Sequence, residues 1–254
     1  GEWSPELASR ARANGRWSPV LLAVAALAGA VGLAGPRGGR ATVKTETQAL
    51  SVVFAMDISR SMLAEDTKPS RLSRASSEAR RLVQDLGRDR LGLIAFAGRS
   101  YILSPLTLDG GAINLFLDAL SPDIASQGGT GLASALSQGA ELLNASREAG
   151  DRVLVVFTDG ETHDSLPDVL AQARALREQQ IRLVLVSEGG TKGVPIPIRD
   201  SAGTLTEYKT DGNGDPIETR RRDDILQKVA DAGEGALVPA ELPDQAGAVR
   251  DLLA

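Results

Sequence analysis

The sequence has no cysteine. Disulfide staples, thiolate zinc sites and a cysteine nucleophile are therefore excluded. It has a single histidine, His163, and no nucleophile-elbow motif beside it, so a Ser-His-Asp mechanism has little to work with. Aromatic residues make up only 3% of the chain. The core must then be Leu, Val, Ile and Ala, and stacking of nucleic-acid bases has no platform. The net charge of -5 comes without a basic stripe, which removes nucleic acid as a partner. No Gly-x-x-x-x-Gly-Lys-Ser/Thr loop is present, so an associated ATPase would have to be a separate chain. The 254 residues, 42% of them hydrophobic and 24% charged, suffice for one sizeable core.

The chain is organised around an apolar run with β-branched residues, Val52-Val53-Phe54-Ala55-Met56, the pattern of a buried parallel strand. It ends in Asp57-Ile58-Ser59-Arg60-Ser61, a carboxylate followed by two hydroxyls. Ligands of open α/β sheets bind at the carboxyl edge of the strands, where this loop falls. Hard oxygen donors carrying little negative charge suit a small divalent cation such as magnesium. Two later stretches add to the set. Gln127-Gly128-Gly129-Thr130-Gly131 precedes an alanine-rich helical segment and puts Thr130 at a loop-to-helix junction. Val153-Leu154-Val155-Val156-Phe157-Thr158-Asp159-Gly160-Glu161 is a second apolar strand ending in an acid and a glycine. Asp-x-Ser-x-Ser alone is explained by a strand-end turn. Three separated segments in this order favour one shared centre.

Residues 1–18 are polar, with Arg10, Arg12 and Arg16. Pro19 to Gly35 is an uncharged apolar run, read as a transmembrane helix over 19–35 in preference to a signal peptide or a buried helix. Basic residues on both sides leave its orientation open. A polar tether over 36–49 leads to a domain over 50–254. Pro69-Ser70-Arg71-Leu72 opens a helix to about Leu86, with Leu72, Ala75, Ala79 and Leu82 on its apolar face and its arginines on a solvated one. Strands follow at Arg90–Phe96 and Ser100–Leu103, the latter antiparallel. Helices follow at about Ala112–Leu120 and from Thr130 to about Ser146. Free N–H groups at the start of the second are expected to help hold an acidic ligand. Strand 153–158, helix Ser165–Gln179 and strand Ile181–Val186 complete an alternation that signals a doubly wound α/β fold, a mostly parallel sheet with helices on both faces.

Residues at about 190–222 break the rhythm as a hairpin insertion. Its prolines Pro195 and Pro197 keep the chain extended. Asp211-Gly212-Asn213-Gly214-Asp215 reads as its turn. An EF-hand calcium loop would need Gly and Glu where Pro216 and Arg222 stand. Asp223–Ala232 and Asp244–Leu253 are helices flanking a short strand at Ala236–Pro239. His163 reads as a surface loop residue, with orientation of Asp159 or partner contact as its other role. Glu161 and Asp164 would repel an acidic partner or tune its approach.

The set Asp57, Ser59, Ser61, Thr130 and Asp159 resembles the metal-ion-dependent adhesion site of von Willebrand factor A domains, whose sheet is Rossmann-like. The resemblance implies that the hydroxyls bind the ion directly and the aspartates directly or through water. A sixth position is then left for a partner's carboxylate. The ion implied is Mg2+, or another divalent cation such as Mn2+ or Ca2+. The stretches Met62-Leu63-Ala64-Glu65-Asp66, Lys68-Pro69, Arg71-Leu72, Leu91–Gly98 and Ser104–Asp109 are similar to the bacterial aerotolerance (Bat-type) proteins, as are the prolyl hairpin and the upstream apolar run. That resemblance implies a membrane-anchored protein-interaction module rather than an enzyme, at the bacterial inner membrane with its domain on the periplasmic side. It further implies a complex with related proteins and a MoxR-type AAA+ ATPase, in stress tolerance or protein maturation. Family members carry further spans; no apolar run precedes Pro19 or follows Leu242, as expected of a shortened member or a fragment. Competing readings are a metal-assisted phosphohydrolase using Asp57, a secreted adhesin, and a chelatase-type subunit. The first is weakened because Ser59 stands where a second acid is expected.

Overall fold

The computed structural model describes residues 18–33, 50–125, 128–145, 150–200 and 202–253. The expected polar segment, apart from Ser18, and the tether over 36–49 lie outside the described residues, as do Gln127 and Ser146. The chain divides into two compact units, Gly1–Thr45 and Glu46–Ala254.

Helix α1 (Ser18–Leu33) occupies the first unit. Its missing-donor residue, Pro19, sits in the first turn, where that N–H has no intrahelical partner anyway. The helix is uncharged and apolar, as the sequence implies, but it has 16 residues. At 1.5 Å each they rise about 24 Å, against a hydrocarbon core of about 30 Å. No helix among the described residues is long and apolar enough to cross a membrane. Of the expected transmembrane helix over 19–35, positions 19–33 are helical, and 34 and 35 lie outside the described residues.

In the second unit, six strands form one sheet: β1 (Ser51–Asp57), β2 (Arg90–Phe96), β3 (Ser100–Thr107), β4 (Arg152–Thr158), β5 (Ile181–Ser187) and β10 (Ala236–Val238). Their order is β10-β5-β4-β1-β2-β3, and only β3 runs antiparallel. β1 lies inside the sheet and is buried along its whole length, which is why it reads as a continuous apolar run. Its alternate residues serve two cores. Phe54 and Met56 pack with Ala75 and Leu82 of α2 (Arg71–Asp85), Ile113 of α3 (Gly110–Asp118) and Val249 of α7 (Gln245–Leu253). Val53 and Ala55 pack with Leu136 of α4 (Leu132–Asn144), Ala173 of α5 (Leu166–Glu178) and Leu226 of α6 (Asp223–Gly233). Helices thus cover both faces, and the doubly wound α/β expectation holds.

Several ends are set by side chains. The Ser70 hydroxyl accepts the Ser73 N–H and starts α2, and the Asp109 carboxylate accepts the Ala112 N–H and starts α3. β3 continues through Pro105 to Thr107, beyond the expected end at Leu103. It is an edge strand, where a missing ladder donor is tolerated.

The insertion is a two-part hairpin. β6 (Val194–Pro195) pairs with β9 (Glu218–Thr219), and β7 (Pro197–Arg199) with β8 (Leu205–Tyr208). At its tip the Asp211 carboxylate accepts the N–H groups of Asn213 and Asp215 at 2.8 and 3.0 Å. That carboxylate organises a turn, as the Gly/Asn pattern implies.

Candidate metal centre

Strand order reverses between β1 and β4, the place where open α/β sheets bind ligands. Asp57 ends β1, and Asp159 directly follows β4. Parallel pairing of Met56 with Phe157 brings the two strand ends side by side. The Thr158 hydroxyl donates to Asp57 Oδ2 at 2.6 Å and accepts the Gly160 N–H. The Ser59 N–H donates to Asp57 Oδ1 at 2.9 Å, so the strand-end turn is real and is part of the site. The Ser59 and Ser61 hydroxyls lie 2.9 Å apart, and Asp159 Oδ1 accepts the Glu161 N–H at 3.0 Å. Thr130 lines the same cleft as Ser59 and Ser61, about 300 Å³ in volume. All five residues are buried, the two aspartates completely. The structure therefore gathers Asp57, Ser59, Ser61, Thr130 and Asp159 at one sheet edge.

Loops pack around this cluster. His163 is exposed and orients Thr130 rather than Asp159: its Nδ1 accepts the Thr130 N–H at 3.1 Å. The Thr130 carbonyl in turn accepts the His163 N–H and the Thr162 hydroxyl. Two amides at the start of α4 are already engaged. Gly131 donates to the Ala97 carbonyl, and Ala133 donates to Asp164 Oδ2 at 2.7 Å. Asp164 is thus a helix cap, while Glu161 accepts the Arg220 N–H and borders the cleft. Gly160 has φ +77°, and a Cβ there would lie 2.8 Å from Leu226. Only glycine lets the loop after Asp159 turn this tightly against α6.

One neighbour runs against the sequence reading. Arg71, expected on the solvated face of α2, is fully buried. Its Nη1 donates to Asp159 Oδ2 at 2.9 Å and to the Thr219 hydroxyl at 3.1 Å. Its Nε and Nη2 hold Asp66 in a two-pronged pair, at 2.9 and 2.7 Å. One guanidinium therefore ties together the β4 edge, the loop after β1 and the hairpin. Gly189, with φ +88°, makes room for it: a Cβ there would fall 2.2 Å from Arg71 Nε. The signal was present in the helical period. Positions 71, 75, 79 and 82 form one buried stripe, and Arg71 is its first member.

The electrostatics are unbalanced. Burial raises the Asp57 pKa, the Asp159 charge adds to it, and bonds from Ser59 and Thr158 offset only part, so it is pushed up to about 7. Burial also raises Asp159, against the pull of Ser61 and Arg71. For Asp66, burial is outweighed by Arg71 and the Gly190 N–H, which hold its carboxyl below the ordinary range. Two buried carboxylates that disfavour one another's charge are relieved by an added cation. Each Asp57 oxygen accepts one hydrogen bond and has a lone pair to spare. Hydroxyl and carboxylate oxygens are the donors that hard divalent ions prefer. The residues present fit such an ion.

The von Willebrand factor type A domain family model matches residues 52–161, a stretch holding all five residues. A UPF0353 protein of Mycobacterium sp. (strain KMS) is 29% identical over 243 residues, covering 91% of this chain and 67% of the relative. The crystal structure of conserved hypothetical protein BatB from Bacteroides thetaiotaomicron is 32% identical with a TM-score of 0.74, covering 81% of this chain and 97% of that one. An aerotolerance-related membrane protein from Bacteroides fragilis NCTC 9343 is 31% identical, with a TM-score of 0.73 and the same two coverages. The chain belongs to the von Willebrand factor type A domain family, alongside the BatB and aerotolerance-related proteins.

Proposed function

We propose that this chain is a protein-binding module that acts through a divalent cation. Asp57, Ser59, Ser61, Thr130 and Asp159 hold the ion, with magnesium first in order and manganese or calcium as substitutes. Bound there, the ion supplies a positive centre only partly neutralised by its ligands, which attracts an Asp or Glu carboxylate from a partner. The chain's own residues position and tune it. Thr158 and the Ser59 N–H fix Asp57, Arg71 fixes Asp159, and His163 fixes the Thr130 loop. The observation that carries this reading is the pair of buried carboxylates beside three hydroxyls, with a single guanidinium on one of them.

The setting is also proposed. We place the domain at the bacterial inner membrane, on its periplasmic side, working with related von Willebrand A proteins and a MoxR-type AAA+ ATPase in stress tolerance or protein maturation. Support comes from the similarity to the B. fragilis aerotolerance-related membrane protein and from the uncharged apolar α1. The test is a pull-down from envelope extract with the full chain, in magnesium and in chelator, beside Asp57→Ala. The reading predicts proteins captured only by the wild type with magnesium. Identical captures under all conditions would sink it.

A further inference from the structure

A second cavity adjoins the candidate metal cleft. This groove, about 400 Å³ in volume, has apolar walls from Leu63, Pro122, Ile196 and Ile198. It is not a separate feature of the surface. Arg60, Ile196 and Lys209 line both the groove and the cleft that holds Ser59, Ser61 and Thr130. The hairpin insertion therefore builds one wall of a passage that starts at the candidate ion.

The charges along this passage are informative. Arg60 is exposed and Lys209 half-buried, and among the described residues neither makes an ion pair or a side-chain hydrogen bond. The groove's third cation, Arg199, is already spent on Glu65, with Nε and Nη2 at 3.0 and 2.6 Å from Oε1. Arg199 thereby neutralises the groove's glutamate and holds its carboxyl below the ordinary range. Two acids remain at the borders. Asp123 lines the groove and takes the Ser121 hydroxyl, and Glu161 lines the cleft and takes the Arg220 N–H. The residues common to both cavities are thus two unpaired cations and one isoleucine. An occupant of the whole passage must bring an acid to the ion, a negative charge to Arg60 and Lys209, and an aliphatic group to the groove. An extended peptide meets all three with neighbouring side chains on one short segment.

We propose that the partner segment is an extended acidic peptide whose aliphatic side chain, near its metal-seeking carboxylate, seats in the groove between the Arg60–Leu63 turn and the hairpin. This deepens the metal-dependent reading and rests on it. The hairpin is then the specificity element of the domain, and the ion supplies affinity common to any acidic partner.

The test uses the full chain and fluorescein-labelled peptides of Gly and Ser carrying one Asp, one Glu and one Leu, with the Leu placed at different distances from the Asp. Matched peptides lack either the Leu or the acids. Binding is read by anisotropy in magnesium and in chelator, with magnesium binding to the chain alone measured by calorimetry. At the best spacing, replacing the Leu by Ser weakens binding about tenfold, the effect of exposing one aliphatic side chain. Ile198→Ser removes most of that Leu preference and affects the Leu-free peptide far less. Lys209→Glu weakens peptides carrying the Glu without weakening magnesium binding, which also reports that the variant is folded. Magnesium-dependent binding indifferent to Leu in every peptide overturns the groove proposal and leaves the metal reading standing. Magnesium binding with no peptide bound overturns it too. Equal binding of Leu peptides in chelator makes the groove an independent site and overturns it. Failure of the chain to bind magnesium removes the metal reading, and the groove proposal with it.

Discussion

Asp57→Asn should stabilise the metal-free protein at alkaline pH while abolishing its response to magnesium. The buried Asp57 carboxyl is pushed up to about 7, from 3.8 in the unfolded chain. Below pH 4 it is protonated in both states, and its neutral form stabilises the fold in full. As pH rises from 4 to 7 the unfolded chain ionises first, so that contribution is progressively lost. At pH 8 the loss reaches about 4 kcal/mol, and at pH 5 it is only about 1–2 kcal/mol. Asparagine carries no charge at either pH. It gives up the hydrogen bond from the Thr158 hydroxyl to Asp57 Oδ2, which costs about 1 kcal/mol. The net gain is therefore about 3 kcal/mol at pH 8 and close to zero at pH 5. For a domain of this size that is a rise in Tm of roughly 5–10 °C at pH 8. The assay is thermal unfolding of the full chain in chelator at both pH values, repeated with magnesium. Magnesium at a hundred times its Kd should add about 2.7 kcal/mol to the wild type and nothing to the variant. A variant destabilised equally at pH 5 and pH 8 would refute the electrostatic reasoning.

Four further outcomes follow from the same geometry. Arg71→Met leaves the fully buried Asp159 carboxylate without its cation and also removes the partner of Asp66, so it should lower stability by about 3–5 kcal/mol in denaturant unfolding. Arg71→Lys should restore little, because an ammonium lacks the planar fork that holds Asp66. Gly189→Ala meets both a left-handed backbone and the Arg71 side chain, so it should destabilise by several kcal/mol, measured the same way. Thr130→Ala should weaken magnesium binding roughly tenfold in titration calorimetry, the loss of about 1.4 kcal/mol, with Tm in chelator nearly unchanged.

The central strands were legible because a strand covered on both faces has no polar position to confuse its pattern. Val52 to Met56 and Val153 to Phe157 show this plainly. Asp57 and Asp159 could be placed together from the sequence because the carboxyl ends of neighbouring parallel strands meet at one edge. Asp57 and Asp159 gain their meaning from that topology. What escaped depends on contacts far apart in sequence. Arg71 reaches residues 88 and 148 positions away, and a charge in a helix reads as solvated until its place in the buried stripe is counted. His163 serves Thr130 rather than its sequence neighbour Asp159, a choice made by how two loops pack. β3 outran its expected end because only the completed sheet reveals that Pro105 lies on an edge.

Calorimetric titration of the full chain with magnesium chloride, beside Asp57→Ala, tests the metal centre most directly. The wild type should bind one ion and the variant none, with both chains folded by circular dichroism. Equal heats for the two, or none for either, would contradict it.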